Sequence, residues 1–468
     1  MSGGAVSGGA VSGGGVSGAG DRGGTLVAEG QDVTGSHDAT PDEARRAVEA
    51  VWRIESGKLV AGLARWTGDV GLAEELAQDA LVAALEQWPE TGVPRTPGAW
   101  LTTVAKRRAI DGWRRRERLD ERYAALARDL EQQDDDDPAA VAEEEIQDDL
   151  LRLVFVSCHP VLAPGARVSL TLKLLGGLTT EEIARAFLVP VPTIAQRIVR
   201  AKRTLSAAHV PFEVPDRADY AERLSSVLEV VYLIFNEGYS ATAGDDWMRP
   251  DLCQEALRLG RVLAELTPHE PEVHGLVALM EFQASRLPAR ATADGTPILL
   301  QDQDRTRWDR ILIGRGVAAL ARADRLLGAR GRGPYALQAA IAACHATAPA
   351  PGDTDWEEIV ALYGALARLR PSAVVELNRA VAVSMAYGPD AGLDVVERLV
   401  EGGALDSYHL LPSVRADLLF KVGRHAEAEV EFERAASMTA NARERTLLLG
   451  RAAEAAAAGA SGASGSAP

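Results

Sequence analysis

The sequence has few cysteines, no long apolar run, almost no strand-like alternation and no familiar catalytic spacing, and each shortage removes a class of answer. Its three cysteines, Cys158, Cys253 and Cys344, lie about 90 residues apart with no CxxC spacing. They make neither a disulfide framework nor a zinc knuckle, so a reducing cytoplasm is the expected setting. No run reaches the roughly 18 apolar residues that a membrane-crossing helix needs, so no membrane partner is expected. The first 20 residues lack a basic start and a leucine-rich stretch, and do not read as a secretory signal. No HxxxH or GxSxG spacing occurs, so neither a catalytic centre, a metal nor a cofactor is expected.

What is there is a chain of 468 residues, 47% apolar and 25% charged, with a formal charge of −17. That length suggests two to four domains, at roughly 100–200 residues each. Net acidity argues at first against a nucleic-acid partner, because phosphates need local positive charge. The charge is not uniform, however. Residues 95–118 carry eight basic and two acidic side chains, while residues 119–150 carry thirteen acidic and two basic ones. The unbroken acidic run at 134–137 repels itself and reads as part of an extended linker. The acidity is thus concentrated partly in a tether.

Residues 1–40 repeat Gly, Ser, Ala and Val and read as a disordered tail, and so does the stretch 459–468. Between them the apolar spacing is helical almost throughout, and the expected class is all-α. A first unit spans 41–118, an acidic linker 119–147, a compact helical module 148–210 and a long helical extension 211–458. Within the first unit Val48, Val51 and Trp52, then Leu59, Leu63 and Trp66, mark one helix, and 72–88 marks a second. Thr96 and Pro97 give the start signal of a third, since proline's missing N–H costs nothing in a first turn.

The most informative segment is 177–205. Thr179 and Glu182 have the spacing of a capping box. Ile183, Ala184 and Phe187 give a short helix its apolar side, residues 188–191 break it, and Pro192 opens a second helix. At 100° per residue Ile194, Ile198, Ala201 and Leu205 fall within about 60° of one another, with Gln196, Arg200 and Arg203 opposite. This second helix holds four basic residues and no acidic one. Two short helices with a tight turn, apolar inside and Arg/Gln outside, suit a recognition helix in a major groove. The same pattern also fits an amphipathic helix whose basic face is merely solvated.

The other basic helix adds to the first possibility. Lys106, Arg107, Arg108, Arg114, Arg115, Arg116 and Arg118 interleave with Trp100 and Trp113. Cations beside flat aromatics suit a single strand, whose phosphates need charge and whose unstacked bases need flat partners. Trp100 falls on the apolar side and reads as core, and Asp111 among the cations reads as an ion-pair partner.

On these motifs the chain resembles a bacterial sigma factor of the sigma-70 family, of the extracytoplasmic-function group. Residues 73–81 (AEELAQDAL) resemble the region 2.2 helix that docks on the polymerase clamp. Residues 97–101 (PGAWL) through 109–116 (AIDGWRRR) resemble the regions that melt and read the −10 element. Residues 193–201 (TIAQRIVRA) resemble the region 4.2 helix that reads −35. The resemblance implies core RNA polymerase and promoter DNA as partners. It assigns polymerase docking to Glu75, Gln78 and Asp79. It assigns the −10 strand to Lys106, Arg107, Trp113, Arg114, Arg115 and Arg116. It assigns −35 to Thr193, Gln196, Arg197, Arg200, Lys202 and Arg203. The family often has asparagine where this chain has Arg107, and residues 189–192 form a proline-rich turn where small residues are more usual.

The extension resembles that of a rarer subgroup with tetratricopeptide-like repeats, through 235–239 (FNEGY), 302–305 (DQDR) with Trp308, 333–335 (GPY), Asp355 with Trp356, and 377–381 (LNRAV). The resemblance implies a regulatory segment, with a regulatory protein or ligand acting on it. From the residues alone one repeat-like helix pair is legible, with small Ala416, a turn at Gly423, and Ala426 and Phe432 packing back. Asp302, Asp304, Asp309 and His345 admit an acid/base site. The preferred reading has these carboxylates capping helices, Trp308 and Trp356 filling seams, and Cys344 in the core, as Cys158 is on its own helix.

Overall fold

The computed structural model describes residues 41–116, 143–240, 248–292 and 295–464. The acidic run at 134–137 and the tail 1–40 lie outside the described residues. Within them the chain forms eighteen α-helices and no strand, with one isolated bridge between Ala291 and Pro297. None of these helices is long and apolar enough to cross a membrane.

Three helices make the first unit: α1 (Pro41–Thr67), α2 (Val70–Thr91) and α3 (Pro97–Arg116). Asp69 starts α2 by accepting the Gly71 and Leu72 amides at 2.6 and 3.0 Å, which satisfies donors that have no partner inside a helix. The bundle closes around Trp52, Leu63, Leu76 and Trp88, with Leu101 and Ala105 from α3. Trp88 is 2% exposed and meets Trp100 edge-on at 5.3 Å between ring centres.

The second unit holds α4 (Glu143–Ser157), α5 (Pro164–Leu174), α6 (Thr180–Ala186) and α7 (Val191–Ala207). Helix α4 begins five residues before the expected unit boundary at 148, because Glu143, Glu144 and Glu145 favour a first turn, where the helix dipole is positive. Phe155, Leu170, Leu172, Leu174, Ile183 and Ile194 are fully buried here.

The extension continues with α8 (Arg217–Tyr239), α9 (Pro250–Leu266), α10 (Pro271–Ala284), α11 (Arg310–Leu327) and α12 (Pro334–Thr347). It ends with α13 (Trp356–Leu369), α14 (Ala373–Tyr387), α15 (Pro389–Glu401), α16 (Leu410–Lys421), α17 (His425–Met438) and α18 (Ala442–Ser464). Most of these helices pack mainly on their neighbours in the chain, whereas α12 packs most on α10, two helices back. Proline opens α9, α10, α12 and α15, where its missing N–H is harmless. Helix α10 is buried on most of its surface and is enclosed by α9, α11 and α12, with its buried Glu281 paired to Arg261 of α9. One continuous core runs from Val48 to Ala382, and a second runs from Leu377 to Ala455.

Two expectations are corrected. The expected tail from residue 459 is instead helix as far as Ser464, because alanine is the best helix former and carries the chain past its glycines. In the α16–α17 pair Gly423 makes the turn at φ +82°, and Ala416 and Phe432 are buried. Ala426 is exposed, and Ala428 fills the place expected for it.

Candidate nucleic-acid interface

The α6–α7 pair is built by local chemistry. The Thr179 hydroxyl accepts the Glu182 amide at 3.1 Å, and the Glu182 carboxylate accepts the Thr179 amide at 2.8 Å. The two helices are joined through Leu188 at φ +50°, a left-handed conformation that disfavours a branched side chain. Leu188 is exposed, so its side chain makes no core contact to offset that strain. On α7, Ile194, Ile198, Ala201 and Leu205 are buried against the module. Gln196, Arg200 and Arg203 are exposed, and Thr193 and Arg197 are half-buried. No carboxylate among the described residues pairs with Arg200 or Arg203. The face therefore carries unneutralised cations suited to phosphates and guanine edges.

Lys202 is placed elsewhere. Its ammonium bonds the Glu74 carboxylate of α2, away from the exposed row. Lys173 on α5 approaches the same carboxylate at 3.7 Å. Glu74 is only 7% exposed, so one acidic side chain of the first unit is enclosed by two cations of the second.

On α3, Arg107 is exposed, Lys106 is half-buried, and Arg108 lies 3.5 Å from Asp79 of α2. Trp100 is half-buried against Trp88, on the core side as expected. Trp113, Arg114, Arg115 and Arg116 belong to α3, and their side chains lie outside the described residues. On α2, Glu75 and Asp79 are exposed and Gln78 is half-buried, all three on one face at i, i+3 and i+4 spacing.

Further bonds join the units, and sequence reasoning missed them. Arg53 meets Glu182 at 2.9 Å, and Arg65 meets Asp149 at 3.1 Å and Glu145 at 3.5 Å. Burial raises the Asp149 carboxyl above its usual range, although Arg65 and Arg152 oppose this. The second unit is tied to the extension as well. Arg167 donates to Ser226 at 2.5 Å and to Glu229 at 3.1 Å. Arg223 donates to the Phe155 carbonyl at 3.0 Å. No local signal announces these pairs, since their members stand 59 to 129 residues apart.

Asp304, Asp309 and Asp355 act as caps as expected, whereas Asp302 ends a short 3-10 turn and stands at no helix start. Asp304 accepts the Thr306 amide, Asp309 those of Ile311 and Leu312, and Asp355 that of Glu358. Trp308 is buried, and the His345 ring meets Trp356 edge-on at 5.1 Å. Burial, together with Arg286 and Arg305, lowers the His345 pKa to about 4. Cys158 is buried as expected, whereas Cys344 is half-buried and so stands at a seam and not in the core. Among the described residues no three His, Cys, Asp or Glu side chains gather to hold a metal ion.

Comparison with known families matches these units one by one. Residues 54–119 match Sigma-70 region 2, residues 152–205 match Sigma-70, region 4, and residues 223–324 match a family of unknown function (DUF6596). The chain thus combines sigma-70 region 2 and region 4 domains with a further helical domain of unassigned role. An uncharacterized protein, R00370, of Rhizobium meliloti (strain 1021) is 45% identical over 397 residues, covering 82% of this chain and 90% of that protein. The chain belongs to one family with that protein. A probable ECF RNA polymerase sigma factor, SigI, of Mycobacterium tuberculosis is 28% identical over 167 residues, 36% of this chain and 57% of that protein. No solved structure matches.

Proposed function

We propose that the protein is an RNA polymerase sigma factor of the extracytoplasmic-function type, acting in the cytoplasm without enzymatic activity of its own. It binds core polymerase, reads −35 and −10 promoter elements, and helps open the duplex. The observation that carries this reading is the exposed, unneutralised row Gln196, Arg200 and Arg203 on the second helix of a unit that matches region 4. In this reading Arg200 and Arg203 take guanine edges or phosphates, Gln196 takes an adenine edge, and Thr193 and Arg197 anchor the backbone. Lys106, Arg107, Trp113 and the arginines 114–116 hold the melted −10 strand. Glu75, Gln78 and Asp79 form the docking face for polymerase.

The reading requires movement. Elements about 25 base pairs apart are separated by roughly 85 Å at 3.4 Å per pair. Here α7 lies within one side chain's reach of α2, through Lys202 and Glu74. Regions 2 and 4 therefore have to part before both elements are engaged. Lys202, assigned to −35 by resemblance, becomes available to DNA only after that step.

The extension, in this reading a tetratricopeptide-like array, governs the step because it grips region 4 through Arg167 and Arg223. Reconstituted transcription tests the function. Purified protein with core polymerase should raise initiation over core alone on a promoter library, and equal output would refute it. A DNA-binding regulator that never contacts polymerase is the competing reading. Association with core polymerase that is lost in a Gln78→Ala, Asp79→Ala double variant distinguishes the two.

A further inference from the structure

Glycine inside a helix lowers stability relative to alanine, because it adds freedom to the unfolded chain. Gly57 stands in the interior of α1. A methyl group there would approach Leu150 Cδ2 at 3.5 Å and the Leu175 carbonyl at 3.6 Å, both ordinary contact distances. Packing does not require glycine at this position. The missing methyl leaves space instead, since Gly57 lines a cavity of about 90 Å³.

Three parts of the chain build the walls. Region 2 gives Gly57, region 4 gives Val154 and Cys158, and the extension gives Val231, Leu259 and Leu263, with Ile54 and Lys58 also on the lining. The polar groups around it already have partners. The Cys158 thiol lies 3.3 Å from the Thr171 hydroxyl, Arg258 is held by Glu255 and the Leu175 carbonyl, and Lys58 pairs with Glu55. Water entering would find few free partners, and a charged ligand would find no unmatched charge. A closed apolar cavity of about 150 Å³ takes benzene or xenon. This one is smaller but opens to the surface beside Ile54, which is 66% exposed, so xenon fits inside it and a benzene ring fits only by reaching out through its mouth.

We propose that this cavity binds a small neutral apolar molecule that, touching all three parts at once, holds regions 2 and 4 and the extension in their closed arrangement. A ligand whose site exists only when the parts are together stabilises that arrangement by its binding free energy. The effect on transcription rests on the sigma reading, whereas the binding does not.

Xenon and benzene are the probes, and the full chain is the sample. The wild type should give a concentration-dependent shift of the dissolved xenon resonance, and benzene should raise its Tm. Gly57→Ala, which adds a methyl without a clash, should lessen both responses. So should Ile54→Trp, which covers the lining from a position 66% exposed and so leaves the fold intact. A wild type without either response, or variants that respond like wild type, would overturn the site. Benzene should also reduce promoter-dependent initiation by wild type more than by Ile54→Trp. Equal reduction would overturn the closing role. Wild type that supports no initiation even without benzene would instead refute the sigma reading, with the xenon and Tm results still deciding the cavity.

Discussion

Neutralising Glu74 is the sharpest test of the contact between regions 2 and 4. Its carboxylate is 7% exposed and is shared by Lys202 and, at 3.7 Å, by Lys173. At an effective dielectric constant of about 20, the Lys173 attraction alone is about 4 kcal/mol before desolvation. Burial and the remaining exposure of both lysines offset roughly half of that. Glu74→Gln keeps the shape, removes the attraction and leaves two ammonium groups facing each other. The closed arrangement should weaken by about 2 kcal/mol, roughly a 30-fold shift toward the open form. Small-angle scattering should show a larger radius of gyration for Glu74→Gln than for wild type, and high salt should narrow the difference. Association with core polymerase should strengthen by up to that factor where the closed form limits binding. Glu86→Gln, an exposed change on the same helix, is the control. A Glu74→Gln protein whose scattering profile, salt response and polymerase affinity all match that control would refute the reasoning.

The remaining predictions concern the DNA face, the caps, the core and pH. Arg200→Ala and Arg203→Ala should each weaken binding to a −35 duplex by about 1–3 kcal/mol, read by fluorescence anisotropy; retention of wild-type affinity by the double variant would remove α7 as the reading helix. Thr179→Ala should lower stability by about 1 kcal/mol through loss of the α6 cap, seen in urea denaturation. Trp88→Ala should cost about 3–5 kcal/mol by opening a hole between α2 and α3, and a loss below 1 kcal/mol would contradict the packing. His345 is held neutral, with its pKa lowered from 6.5 to about 4. The unfolded chain therefore takes up a proton first as pH falls below about 6.5. Stability should be full above that pH and decline toward pH 4, by roughly 3 kcal/mol for this group. Comparison of wild type with His345→Gln at pH 7.5 and 5 isolates the effect.

What could be read in the sequence was local. The capping box of Thr179 and Glu182, the buried stripe of Ile194 to Leu205 and the all-α class all follow from spacings within a few turns. The placement of Lys202 does not. It stands among four cations on one helix, and only Glu74, 128 residues earlier, separates it from the exposed row. Ala426 and Ala428 were indistinguishable because both are small and both flank glutamates; only the helix against which they pack selects one. Helix α18 outran its expected end because compositional bias toward Ala, Gly and Ser describes a floppy tail and an alanine helix equally well.

Arg167 has a consequence for anyone who divides this chain. It is 8% exposed, and its partners Ser226 and Glu229 both belong to α8. Phe155 nearby meets Tyr220 of the same helix at 5.5 Å. A fragment ending near residue 210 would carry an orphaned guanidinium beside a bare oily strip, and would clump for reasons unrelated to gene control. Silence from such a fragment reports a broken scaffold. A free-standing version needs Arg167 and its surroundings resurfaced with polar side chains first.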